Sequence, residues 1–121
     1  MAKILVVDDS QSALLAATQI IEKIGHTAVG AANGEYGLNA LKENKDIKLV
    51  LADFHMPIMN GHEMVKKIRE EQEYNHIPIV MVTTESQKER VLSMAKIGIQ
   101  GWIIKPPTEE TITNVLVKLN I

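Results

Sequence analysis

Ile4-Leu5-Val6-Val7-Asp8-Asp9 decides how the chain is read. Four apolar residues in a row leave no polar side, so a strand built from them has to be covered on both faces, as in a parallel sheet sandwiched by helices. Two carboxylates follow at once. Runs of the same kind return at Leu49-Val50-Leu51-Ala52, Ile79-Val80-Met81-Val82 and Trp102-Ile103-Ile104, and a weaker one at Ala28-Val29-Gly30-Ala31. Between them apolar residues recur at helical spacing: Leu14, Ala17, Ile20, Ile21 and Ile24 before Gly25, then Leu38 and Leu41 before Lys45, then Met64, Val65 and Ile68. Val91, Leu92 and Ala95 before Gly98, and Ile112, Val115, Leu116 and Leu119, continue the series. Five βα units in strict alternation predict a doubly wound α/β domain with right-handed crossovers. Its five parallel strands take the flavodoxin-like order 2-1-3-4-5.

The 121 residues suit one domain spanning 1–121, with no linker, internal repeat or low-complexity segment. Apolar residues at 45% and charged residues at 23% are the proportions of an ordinary globular chain rather than a disordered one. Thirteen Lys and Arg against fifteen Asp and Glu give a net charge of -2, so no basic field draws the chain to nucleic acid or to an anionic membrane. Cysteine is absent, which removes disulfides, thiolate zinc sites and cysteine nucleophiles. No apolar run has the length of a membrane span, and the N-terminus does not read as a signal peptide, so the expected location is the cytoplasm.

Ligands of such sheets sit at the carboxyl ends of the strands, near the point where strand order reverses. The chemistry is therefore sought at five positions. The first strand ends in Asp8-Asp9, the third in Asp53, the fourth in Thr83-Thr84 and the fifth in Lys105-Pro106. In the expected order these four strands are neighbours. Singly, Asp8 and Asp9 read as helix caps and Asp53 as a turn former. Together they form a self-repelling cluster that a hard, oxygen-loving cation such as Mg²⁺ would relieve. A carboxylate can attack phosphorus, and Lys105 would add a positive charge, so the set reads as a phosphoryl-transfer site. Side chains alternate along a strand, so only one of Thr83 and Thr84 can face that site. Glu109-Glu110 read as favourable charges at a helix start, and residues 70–73 as a solvated run. His26, His62 and His76 lack metal-ligand spacing and read as surface residues.

Asp8-Asp9 after the first strand, Leu51-Ala52-Asp53-Phe54-His55-Met56-Pro57-Ile58-Met59-Asn60-Gly61, Val82-Thr83 and Gly101-Trp102-Ile103-Ile104-Lys105-Pro106 resemble, in order and spacing, the receiver domain of two-component response regulators. The resemblance spans nearly the whole chain. It is to the stand-alone CheY-like type, since the sequence ends with the fifth helix; a receiver cut from a longer regulator or hybrid kinase is the alternative. The resemblance implies that Asp53 accepts a phosphoryl group from the phosphohistidine of a sensor histidine kinase or phosphotransfer protein. Mg²⁺ would be held by Asp9 directly, by Asp8 largely through water, by Asp53 and by the backbone carbonyl of His55. Thr83, rather than Thr84, would be the hydroxyl that turns toward the phosphoryl group, Lys105 its ionic partner, and Pro106 a cis-peptide proline that aims the lysine.

Trp102 falls where relatives have Tyr or Phe as a rotameric reporter; as the bulkier residue it would need a larger pocket to be buried. Pro107 stands where relatives often have Phe. His55 and Glu85, each two residues past a site residue, occupy positions that tune hydrolysis of the aspartyl-phosphate. His55 can act through its ring or through its carbonyl alone. The fourth helix, fifth strand and fifth helix would form the face that a downstream protein reads. On this reading the chain catalyses only its own phosphorylation and dephosphorylation. An aspartyl-phosphate phosphatase acting on small molecules is the competing enzyme reading, but its first strand would end in Asp-x-Asp, and no segment remains for a substrate cap. A flavin-binding flavodoxin would need a phosphate-cradling loop after the first strand, which Asp8-Asp9-Ser10 does not supply.

Overall fold

The computed structural model describes residues 1–121. Five strands, β1 (Lys3–Val7), β2 (Thr27–Ala31), β3 (Ile47–Asp53), β4 (Ile79–Thr83) and β5 (Gly101–Ile104), alternate with five helices. The helices are α1 (Gln11–Lys23), α2 (Gly34–Glu43), α3 (Gly61–Glu70), α4 (Lys88–Ser93) and α5 (Glu109–Lys118). The strands form one sheet in the order β2-β1-β3-β4-β5, and every neighbouring pair is parallel. Both the fold class and the strand order are those the periodicity predicts.

The unbroken apolar runs are explained by the two layers of core. Successive strand residues point to opposite faces. Leu5, Val7, Val50, Ala52 and Met81 therefore join Leu41, Met64, Val65, Ile68, Val91 and Met94 on one side. Ile4, Val6, Leu49, Leu51, Val80 and Val82 meet Ala17 and Ile21 of α1 and Ile112 and Leu116 of α5 on the other. Side-chain caps hold the helix starts: Ser10 accepts from the Ala13 N–H, Asn33 from that of Tyr36, and Asn60 forms a reciprocal capping box with Glu63. Gly25, expected to stop the first helix, does so with a φ of +98°, a conformation costly for residues with a Cβ.

The fourth helix departs from expectation. Its α-helical part is only Lys88–Ser93, flanked by 3₁₀ turns at Glu85–Gln87 and Met94–Lys96. The buried side chains are Val91 and Met94, whereas Leu92 is 42% exposed and Ala95 lies at the surface. A 3₁₀ turn aligns residues three apart, so Val91 and Met94 share the inner face and the stripe read as α-helical is broken.

Arg69 of α3 holds this side of the molecule together. It donates to the carbonyls of Gly98 (2.8 Å), Tyr74 (3.0 Å) and Ile77 (2.7 Å) and to the Gln100 side chain (3.2 Å), which itself accepts the Ile79 N–H. Partial burial lowers its pKa from the ordinary guanidinium value. His26 is no plain surface residue either. It is half-buried, and its Nδ1 accepts the Ala2 N–H at 2.8 Å, tying the chain start to the loop before β2. Met1, Ala2, Asn120 and Ile121 line one shallow cavity with His26, at the end of the sheet where the strands begin.

Gly61, the first residue of α3, lies against β3. Its N–H donates to the Phe54 carbonyl at 2.8 Å, and a Cβ added there would collide with the Asp53 carbonyl oxygen and approach Met81 Cε to 2.8 Å. A Cβ at Gly101 would meet nothing within 4 Å. Gly61→Ala is expected to lower unfolding free energy by about 2 kcal/mol, the scale of forced overpacking. Gly101→Ala should stay within about 0.5 kcal/mol of the parent. Denaturant melts of the two variants check the contrast, and equal midpoints would refute it.

Candidate functional site

Parallel strands bring all their carboxyl ends to one rim, and the register decides which residues meet there. Val7 pairs with Ala52, Asp53 with Val82 and Thr83 with Ile104. Asp8, Asp53, Thr83 and Lys105 are therefore the last strand residues or the ones just beyond them, at nearly one level. The Lys105 N–H continues the β5 ladder by donating to the Thr83 carbonyl at 2.7 Å, after which the Lys105–Pro106 peptide is cis.

Asp53 is buried, and its Oδ1 carries two contacts: Lys105 Nζ at 2.9 Å and the Phe54 N–H at 2.8 Å. Asp8 is buried beside it, accepting the Ser10 N–H at 2.9 Å, with Lys105 Nζ 4.0 Å from its other oxygen. Carboxylate oxygens of Asp8, Asp9 and Asp53 all lie within 4.8 Å of one another, Asp9 on the exposed side. Burial raises the Asp8 pKa above the ordinary carboxylate value, and the charges of Asp53 and Asp9 push the same way. The Ser10 N–H and Lys105 oppose them without prevailing. One ammonium against three carboxylates leaves an excess of negative charge. A hard divalent cation fits that donor set, because every ligand atom on offer is an oxygen and one side is open to water.

Thr83 is fully buried, and its Oγ1 donates to the Gln87 side-chain carbonyl at 3.0 Å. The Thr84 hydroxyl instead pairs with that of Ser86 at 3.0 Å. His55 is exposed, its ring edge-on to Phe54 with centroids 5.1 Å apart. Glu85 and Pro106 are exposed too. Trp102 stands 40% exposed on β5, with Lys88 Nζ 5.9 Å above its ring, so the indole lies outside the core. A mostly apolar cavity of about 140 Å³ opens beside Lys105, walled by Ala13, Ala16, Ala17, Pro106 and Pro107.

The structure thus brings Asp8, Asp9, Asp53 and Lys105 into contact range, with Thr83 on the adjoining strand end. Glu85 and Trp102 lie away from them, on the turn after β4 and on the outer side of β5. Gln87 was not legible from the sequence: within Glu85-Ser86-Gln87-Lys88-Glu89 it is one polar residue among five, and no spacing rule singles it out.

The chain has relatives in both sequence and fold. Residues 4–117 match the family model of the response regulator receiver domain. A chemotaxis protein CheY homolog of Campylobacter jejuni is 40% identical over 117 residues, covering 94% of this chain and 88% of the relative. Chemotaxis protein CheY1 of Helicobacter pylori is 37% identical, covering 94% and 93%. The crystal structure of Vibrio cholerae chemotaxis protein CheY4 superposes with a TM-score of 0.89 at 33% identity, covering 98% of each chain.

The raised Asp8 pKa has a signed consequence for stability. Below 3.8, the ordinary carboxylate value, Asp8 is neutral folded and unfolded alike. As pH rises past that value the unfolded chain ionises first, so the folded state loses relative stability until the group ionises there too. Asp8→Asn, without divalent cations at neutral pH, is expected to raise the melting midpoint by about 3 °C. The gain should disappear in acid, and saturating Mg²⁺ should reverse the order by stabilising the parent more. Equal midpoints at neutral pH would contradict the account.

Proposed function

The chain belongs to the response regulator receiver domains of two-component signalling, and from that premise we propose that residues 1–121 work as one CheY-like unit phosphorylated on Asp53. The observation that carries this reading is the buried Asp53 carboxylate, bridged by Lys105 at 2.9 Å and flanked by Asp8 and Asp9. Lys105 and the Phe54 N–H both sit on Oδ1, so Oδ2 is the oxygen that attacks. It forms the new P–O bond as the P–N bond of a phosphohistidine breaks, and the imidazole leaves with the electron pair. The donor is a sensor histidine kinase or a phosphotransfer protein.

Asp8, Asp9, Asp53 and the His55 carbonyl are the groups that would hold Mg²⁺, whose bound charge offsets that of the phosphoryl oxygens. Lys105 stays on the acceptor side, where its ammonium pairs with the charge that arrives. The Thr83 hydroxyl is a neutral donor at the end of the adjoining strand, and its turn toward the phosphoryl group couples the site to the loop after β4. The face made by α4, β5 and α5, where Leu92 and Trp102 are exposed, is the surface a downstream protein reads. The phosphoryl group biases that face only by its differential interaction with two conformations. No helix is long and apolar enough to cross a membrane.

Incubation with acetyl phosphate and Mg²⁺ is expected to add one phosphoryl group, seen by intact-mass measurement, and none to Asp53→Asn. Labelling of the Asn variant would overturn the assignment. The His55 ring is exposed two residues past Asp53 and edge-on to Phe54, and we propose that it tunes attack by water. His55→Asn keeps the backbone carbonyl, and its aspartyl-phosphate lifetime should differ by about threefold or more, the scale of one ordinary hydrogen bond. Identical decay would reduce His55 to its carbonyl.

A further inference from the structure

Resting on the reading of Asp53 as phosphoryl acceptor, we infer that Gln87 is a positioning residue that holds Thr83 away from the phosphoryl site and sets how readily the protein switches. Thr83 has one hydroxyl proton to give, and it gives it to Gln87 Oε1 at 3.0 Å; the Thr84 carbonyl lies farther, at 3.3 Å. The orientation of the Gln87 amide is fixed independently. The Thr84 N–H points at the same Gln87 atom at 3.2 Å, and a backbone N–H requires an acceptor, so the carbonyl oxygen and not the amide nitrogen faces Thr83. Thr83 is consequently the donor and Gln87 the acceptor.

The latch has a firm seat. Gln87 ends the 3₁₀ turn Glu85–Gln87, and its own N–H donates to the Thr84 carbonyl at 3.1 Å. Thr83 has no exposed surface, so its hydroxyl cannot exchange Gln87 for bulk water. A charged phosphoryl oxygen on Asp53 is a stronger acceptor than a neutral amide. Thr83 moves when that acceptor arrives, and the lost Gln87 bond is subtracted from what the new one contributes. Gln87 keeps the Thr84 N–H after the exchange, so its departure leaves no buried backbone donor unpaired. The α4 segment begins at the next residue, Lys88, whose ammonium lies over Trp102, so loss of the Thr83 bond is felt at the turn leading into the exposed face.

Beryllofluoride titration with Mg²⁺, followed by NMR of the Thr83 methyl group, tests the inference. Gln87→Ala removes the acceptor and should tighten apparent binding of the phosphoryl mimic about fivefold, the scale of one neutral hydrogen bond. Gln87→Glu keeps the shape, accepts more strongly and should weaken binding. In Gln87→Ala without metal or mimic, the Thr83 methyl resonance should already lie displaced toward its mimic-bound position, a population shift that a merely structural glutamine would not produce. In a Thr83→Val background, Gln87→Ala should have no effect on mimic affinity. An equal effect with and without the hydroxyl, or an unmoved Thr83 resonance, would overturn the latch. Absence of mimic binding by the parent protein would overturn the receiver reading itself.

Discussion

Three carboxylates within 4.8 Å of one another, two of them buried at the end of an apolar sheet, set the constraint to which the surrounding loops answer. Alone they would resist ionisation or push the strand ends apart. One ammonium, brought in by the loop after β5, takes up part of the repulsion, and backbone N–H groups of Ser10 and Phe54 take up more. What remains is a graded appetite for positive charge. The site is therefore poised rather than satisfied, and anything that alters its charge alters the energy of the loops that hold it.

The sheet beneath gives little ground. Ile4, Leu5, Leu49, Val50, Ile79 and Met81 have no exposed surface, and close-packed interiors transmit displacement instead of absorbing it. At the rim, by contrast, Thr83 and Lys105 each rest on a single side-chain partner within 3.0 Å, Gln87 and Asp53 respectively, and the proposed switching exchanges those partners for the phosphoryl group. Such an exchange between two discrete partners gives a threshold, whereas a continuously deformable loop would give a slope. On that proposal the short, 3₁₀-flanked α4 would take up the movement, since few of its backbone bonds belong to a regular helix.

The sheet was readable from sequence because a run such as Ile4 to Val7 has no polar side, and only burial on both faces satisfies it. The rim followed, since strand order and parallel direction place Asp8, Asp53, Thr83 and Lys105 together without any side-chain knowledge. The fourth helix was not readable in the same way. Val91, Leu92 and Ala95 fit an α-helical stripe in sequence, but the switch to three-residue turns selects Val91 and Met94 instead. His26 and Gln87 were missed for a different reason. Both depend on one side-chain atom meeting one particular donor, and composition, periodicity and motif spacing carry no trace of such a meeting.

Residues from both ends of the chain share one cavity with His26, on the side of the sheet away from the carboxylates. A segment whose ends lie side by side can be spliced into the loop of a host protein with little closure entropy to overcome, because the host loop hardly has to open. The same neighbourhood suits tethering at either end, and a fused partner would start from the face remote from the chemistry. The arrangement makes the fold portable. A partner joined at either end would stand opposite the carboxylate rim and leave the open side of that rim to water.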